Sequence, residues 1–289
     1  MGQVPKTREG RRKDFQALEA YILEAQALCV QNKIKYKPLR NKLKLEDILE
    51  GRLICEFALA PDSLTSFPPK SQFLPIPHMV SQGKGMKPPT ERSKAIDEQD
   101  ETCSRIHNNQ KSKKVQLRFS NLLTLFTGRW LDSVVIDAMI HILQEHFPLK
   151  RFMYINSAET DPTMEELVLT RGCSDMVLSV LWLKSHWSCI AINHRRKRIR
   201  YLNSQLLSQE TAIQQTAPFV KYFPDYTVVT HSPSQQNNGY DCGIYSIMSI
   251  HLLMYYDENE VEKITPADAT KYRHSILMQL LISFLLTQN

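Results

Sequence analysis

The residues able to do covalent chemistry are few, and their order along the chain is informative. His186 opens one apolar run, Asn203 closes the next, and Cys242 opens a third, with Gln236 six places before it. An imidazole, an amide and a thiol are a base, a group that orients the base, and a nucleophile. In SQQNNGYDCGIYSIM, Gly239 marks a turn, Asp241 suits an N-cap, and Cys242 falls in the first helical turn. Free N–H groups and the positive end of the helix dipole there predict a lowered thiol pKa. The side-chain amide of Gln236 and the backbone N–H of Cys242 form a pair of donors suited to an oxyanion.

These residues need elements to bring them together. His186 to Ile192 and Arg198 to Asn203 read as two strands joined by the turn NHRRKR. A turn centred on residues 194–195 sets His186 across from Asn203, where cross-strand Cβ atoms are roughly 5 Å apart. Met176 to Leu183 reads as a buried strand. Trp130 to His146 carries Leu131, Val134, Val135, Ala138, Met139, Ile142 and Leu143 on one helical face. Cys242 to Tyr256 and Thr270 to Leu286 are long, apolar and helical in pattern. Strands in the middle with helices on either side predict an α+β domain over 115–289.

The first 114 residues differ in character. A helical period runs over 14–31, a basic segment KIKYKPLRNKLK over 33–44, and a short helix is predicted from Glu46 to Ala60. From 61 to 114 prolines cluster, large apolar residues thin out and charges accumulate. Such a segment buries too little surface to offset its ordering entropy and reads as a disordered linker. The net charge of +6 belongs to this part, which has 21 Lys and Arg against 14 Asp and Glu; the rest has 15 against 16. That surplus makes a nucleic acid or another acidic partner the expected ligand of the basic N-terminal region, if it has one.

Composition narrows the setting. No run reaches the ~20 apolar residues of a membrane span, and MGQVPKTREGRRK lacks the apolar stretch of an export signal. The six cysteines show no zinc-ligand spacing. They are expected to be reduced thiols of an intracellular protein, nuclear or cytoplasmic. The cluster from Lys6 to Lys13 is of the nuclear-localisation kind.

Three blocks, in order, resemble the Ulp/SENP proteases of ubiquitin-like proteins, relatives of the adenoviral protease adenain. They are WLDS at 130–133, HWSCIAINHRRKRIRYLNS from His186, and QQNNGYDCGIY around Cys242. The resemblance spans about 115–256, and 257–289 fits the family's closing helix more loosely. It implies a papain-like fold of the Ulp/adenain type over 115–289. A basic, helix-containing region (1–60) and the linker (61–114) would precede that domain as a helical, partly disordered extension. It also implies that Cys242 is the nucleophile, His186 the base and Gln236 an oxyanion donor. Trp130 and Trp187 would clamp a substrate tail ending in Gly-Gly, with Gly239 and Asp132 completing the substrate-binding set. No metal or organic cofactor is implied.

Two positions depart from the family pattern. Asn203 stands where Asp is usual, and Ser133 ends the first block where Asp is usual. Asn accepts from an imidazole N–H as in Cys-His-Asn enzymes, but adds no negative charge. The implied reaction is hydrolysis after the Gly-Gly of SUMO or another ubiquitin-like protein, free or conjugated. A viral or mobile-element polyprotein protease, and a binding module that keeps the groove without turnover, are the alternatives.

Overall fold

The computed structural model describes residues 7–34, 53–57, 115–144, 152–155, 170–183, 185–205, 209–231, 235–255 and 264–287. The linker expected at 61–114 and nearly all of the basic segment at 33–44 lie outside the described residues.

Helix α1 (Arg8–Gln31) starts where the Thr7 hydroxyl accepts the Gly10 N–H at 3.1 Å. Its Leu18, Ile22, Ala25 and Cys29 repeat every three or four residues and are buried. This face packs in the same core as the helices that follow the sheet. The helix expected at 46–60 is not formed throughout. Leu53–Phe57 is strand β1, paired antiparallel with β2 (Val115–Arg118). Pairing with a partner some sixty residues on overrides the local helical pattern, an arrangement that propensity does not reveal.

After β2 come a short helix α2 (Phe119–Leu122) and a 3-10 turn (Leu123–Leu125). Helix α3 (Ser133–Gln144) begins three residues later than expected. The Asp132 carboxylate accepts the Val134 N–H at 2.9 Å, an N-cap. Trp130 and Leu131 therefore sit in the loop before the helix rather than on it.

The main sheet comprises β3 (Phe152–Ile155), β4 (Met176–Leu183), β5 (His186–Asn193), β6 (Arg198–Leu202) and β7 (Thr227–His231), in that spatial order. The two inner pairings are antiparallel and the two outer ones parallel. Both faces are covered, as continuous apolar strands require. Trp187, Cys189 and Ala191 of β5 face one core, which contains α5 (Cys242–Tyr255). Ile190 and Ile192 face another, closed by Phe219 of α4 (Gln209–Tyr222) and by Phe223. Every residue of α5 from Cys242 to Met254 is buried. A helix enclosed on all sides is apolar all round, as this one is in sequence. Helix α6 (Pro266–Thr287) closes the fold against α1 and α5.

Cys29, Cys189 and Cys242 are free and buried. Cys173 is in a disulfide, which corrects the expectation of six reduced thiols: the fold sets thiol proximity regardless of sequence spacing. Among the described residues no helix is long and apolar enough to cross a membrane.

A nearly buried ion pair fastens α1 to the loop before α3. One Arg129 terminal nitrogen lies 2.7 Å from both Asp14 carboxylate oxygens, and the other donates to the Leu123 carbonyl at 3.1 Å. Asp14→Ala leaves that guanidinium without its counter-ion. We expect a loss of about 2 kcal/mol, between surface-pair and buried-pair values. The urea midpoint should fall at unchanged m-value, and an unchanged midpoint would show that the pair contributes nothing.

Candidate active site

The loop before the expected nucleophile is held from beneath by a residue of the closing helix. Arg273 Nε and one terminal nitrogen donate to the same Asp241 carboxylate oxygen, at 3.0 and 2.5 Å. The guanidinium also reaches the Thr124 carbonyl at 2.9 Å and the Tyr240 carbonyl at 3.3 Å. Asn238 donates to the other Asp241 oxygen at 2.8 Å. Asp241 directly precedes α5 and its backbone carbonyl accepts the Tyr245 N–H at 3.0 Å, but its carboxylate, expected as an N-cap, is turned to Arg273 and Asn238 instead. Nothing in the sequence marks Arg273, because an arginine in an apolar helix carries no label for its partner.

His186 and Asn203 meet, though not by the expected register. The ladder pairs Cys189 with Leu202 and Ile190 with Tyr201, which moves Asn203 two places from the position opposite His186. A shift of two keeps both side chains on one face, and a diagonal contact forms. His186 Nε2 lies 2.8 Å from Asn203 Oδ1. A carbonyl oxygen only accepts, so Nε2 carries the hydrogen and Nδ1 is left as the basic nitrogen. Burial lowers the His186 pKa below the usual imidazole range, and the Asn203 hydrogen bond opposes that shift.

Cys242 is the first residue of α5 and is 2 % exposed. The backbone N–H groups of Trp187, the residue after His186, of Gly243 and of Cys242 itself favour its thiolate form. The expectation of a lowered thiol pKa is overturned. Burial raises it, these three N–H groups pull it down, and the Asp241 charge pushes it up again. Desolvation outweighs the helix terminus because the thiolate would lose its water. With the thiol pKa raised and the imidazole pKa lowered, both groups are neutral at rest.

Gln236 stands beside this arrangement. Its Oε1 accepts the Ser204 hydroxyl at 2.6 Å, its backbone N–H reaches the Ser204 carbonyl at 2.9 Å, and its Nε2 donates to the Asn238 carbonyl at 2.6 Å. One Nε2 hydrogen is thereby engaged inside the loop, and the amide carries a second. Asp132 caps α3, and its own N–H reaches the Thr124 hydroxyl at 3.2 Å.

The three tryptophans of the chain form one cluster, which meets the loop before Cys242 at Gly239 and the start of α5 at Gly243. Trp187 is buried, donates its indole N–H to the Leu131 carbonyl at 3.1 Å, and packs on α5. The packing is close at Gly243, where a Cβ would lie 3.0 Å from Leu131 and 3.2 Å from Trp187. Trp130 donates its N–H to the Gly239 carbonyl at 2.5 Å, which joins the two expected substrate-binding residues across the loops. Trp182, absent from the sequence expectation, lies between them. Its ring is 4.5 Å from Trp187 and 6.1 Å from Trp130, and it is 38 % exposed. Its signal was the β4–β5 register, which pairs Trp182 with Trp187.

Residues 173–282 match the Ulp1 protease family, C-terminal catalytic domain. The structure of the C-terminal Ulp1 protease domain in complex with Smt3, the yeast ortholog of SUMO, superposes with a TM-score of 0.51 at 18 % identity. That match covers 68 % of this chain and all of the other. The Chaetomium thermophilum Ulp1-like SUMO protease catalytic domain matches at 16 % identity and a TM-score of 0.44, over 68 % of this chain and 94 % of that one. No curated protein sequence matches the chain.

Arg273→Ala leaves the Asp241 carboxylate buried without its partner. Chemical denaturation should show a loss of about 3–5 kcal/mol; a loss under about 1 kcal/mol would mean water replaces the guanidinium freely. A neutral resting pair also has a pH signature. The rate of Cys242 alkylation by iodoacetamide should still be climbing above pH 9, since the thiol titrates above its ordinary value of 9.0. A plateau reached near neutrality would reveal a preformed thiolate.

Proposed function

We propose, on the premise that residues 173–282 form a Ulp1-family cysteine-protease catalytic domain, that the chain hydrolyses the bond after a C-terminal Gly-Gly of SUMO or another ubiquitin-like protein. Cys242, His186 and Asn203 are the reacting set in this reading. The observation that carries it is the 2.8 Å contact from His186 Nε2 to Asn203 Oδ1. It leaves Nδ1 basic on the residue before Trp187, whose ring packs at Gly243, the residue after Cys242.

The mechanism follows from the neutral pair. As the Cys242 sulfur attacks the scissile carbonyl, its proton passes to His186 Nδ1. The carbonyl oxygen gains negative charge and is met by the Cys242 backbone N–H and the second Gln236 Nε2 hydrogen. The C–N bond breaks, Nδ1 returns its proton to the leaving amine, and a thioester remains. Water then gives a proton to Nδ1, attacks the thioester and releases the carboxylate, and the thiol regains its proton. A lysine side chain or a C-terminal extension serves equally as leaving amine.

The indole cluster suits the substrate class. Trp130 and Trp182 offer flat apolar surface next to Trp187 and the loop before Cys242, and a tail of two glycines passes close to such surfaces because it has no Cβ. Ser133, where the family pattern has Asp, removes one carboxylate from the substrate face. Asn203 supplies no charge to stabilise the imidazolium, so the step that creates it is slower than with Asp.

The test is covalent labelling with SUMO, ubiquitin and NEDD8, each carrying an electrophile at its C-terminal glycine. Labelling by one probe and its loss in Cys242→Ala is the expected result. A folded wild-type protein that no probe labels would overturn the assignment and leave the polyprotein protease or a binding module. Asn203→Asp should raise the His186 pKa, moving the acid limb of the labelling rate to higher pH. One pKa unit corresponds to about 1.4 kcal/mol.

A further inference from the structure

The orienting residue here is an amide, and an amide has two unlike ends. Only Oδ1 toward His186 leaves Nδ1 basic. If Nδ2 faced the ring, Nε2 would have to accept, the hydrogen would move to Nδ1, and the base would be blocked. A carboxylate in this position has no such wrong orientation. Replacing Asp by Asn therefore creates a need for something that tells the two ends apart.

The structure contains such a device at the end of β6. Asn203 is 5 % exposed. Its Oδ1 accepts both the His186 Nε2–H at 2.8 Å and the Gln205 backbone N–H at 2.7 Å. Its Nδ2 donates to the Tyr201 hydroxyl oxygen at 3.1 Å. The Tyr201 hydroxyl in turn donates to Gln215 Oε1 on α4. With that hydrogen committed to Gln215, the Tyr201 oxygen presents lone pairs to Asn203. Every bond in the chain then runs one way, from His186 through Asn203 on one side and from Asn203 through Tyr201 to Gln215 on the other.

We propose that Tyr201, held by Gln215, is a positioning residue that fixes the Asn203 amide and thereby the basic tautomer of His186. It rests on the reading of Cys242, His186 and Asn203 as the reacting set. Tyr201 touches no reacting atom; it acts through Asn203. The Gln205 N–H supports the same orientation from the backbone, which side-chain replacement leaves in place. In Tyr201→Phe a buried Nδ2–H loses its acceptor, and the amide gains reason to turn.

The experiment is the rate of Cys242 alkylation by iodoacetamide at pH 7.5, read by peptide mass spectrometry in the full chain. The variants are His186→Ala, Tyr201→Phe, Asn203→Asp and the last two combined, with thermal melts on each. We expect Tyr201→Phe to lower the rate by about tenfold, and to change it by less than about twofold once Asn203 is Asp. A drop of the same size in both backgrounds would mean that Tyr201 is only structural, and overturns the proposal. No drop in either overturns it as well. A wild-type rate equal to that of His186→Ala would remove the Cys-His pair itself, and the positioning role with it. Should Tyr201→Phe not fold, Gln215→Leu probes the same chain from its far end. Gln215→Glu, which keeps an acceptor for Tyr201, should restore the rate that Gln215→Leu loses, and equal rates in the two would overturn the proposal.

Discussion

Arg273 is the joint at which three separate parts of the site meet. Its guanidinium binds the Asp241 carboxylate, the Tyr240 carbonyl and the Thr124 carbonyl. It so ties the closing helix to the loop before Cys242 and to the turn that leads to Trp130. A guanidinium suits this place because its fixed fork serves several acceptors at once and stays charged when buried. Without it, the start of α5 would be a buried carboxylate beside unsatisfied carbonyls. The N-terminal helix reaches the same region from the other side, through Asp14 and Arg129, the residue before Trp130.

Burial at this joint has a chemical consequence. A thiol at a helix start is usually associated with easy ionisation, and three backbone N–H groups do favour the Cys242 thiolate. The sulfur is nevertheless almost sealed from water, and the loss of hydration outweighs those donors. His186 is shifted the other way by the same cause. The site therefore holds a neutral thiol and a neutral imidazole at rest, and charge separates only as the bond to carbon forms. In such a site the group behind the histidine matters more than it would behind a preformed ion pair.

That group is an amide, and the strand end around it consists of residues that distinguish amide ends. Tyr201 and the Gln205 N–H act on Asn203, while Ser204 donates to the oxygen of Gln236. Four consecutive residues, Tyr201 to Ser204, thus join one candidate base and one candidate oxyanion donor to the same backbone. Neighbouring the strand on its other side, the three indoles converge because β4 and β5 pair Trp182 with Trp187.

Much of the site was legible because its residues are local signals. His186 begins a strand, Asn203 follows one, and Cys242 begins a helix, and each carries its element with it in the apolar pattern. The α+β class and the Ulp-type blocks followed from the same runs, and the family match over 173–282 spans the second and third of those blocks. What stayed hidden depends on partners distant in the chain. Strands β3 and β7 are joined to the sheet by parallel pairing, which leaves no turn to read. β1 is a strand only because β2 pairs with it. The fork of Arg273, the place of Trp182 and the end-to-end polarity of the Asn203 amide exist only once the chain has closed. The sequence by itself determined which groups are available and on which elements. The tertiary structure decided their protonation and orientation, because desolvation and hydrogen-bond direction belong to the packed surroundings and not to a residue's type.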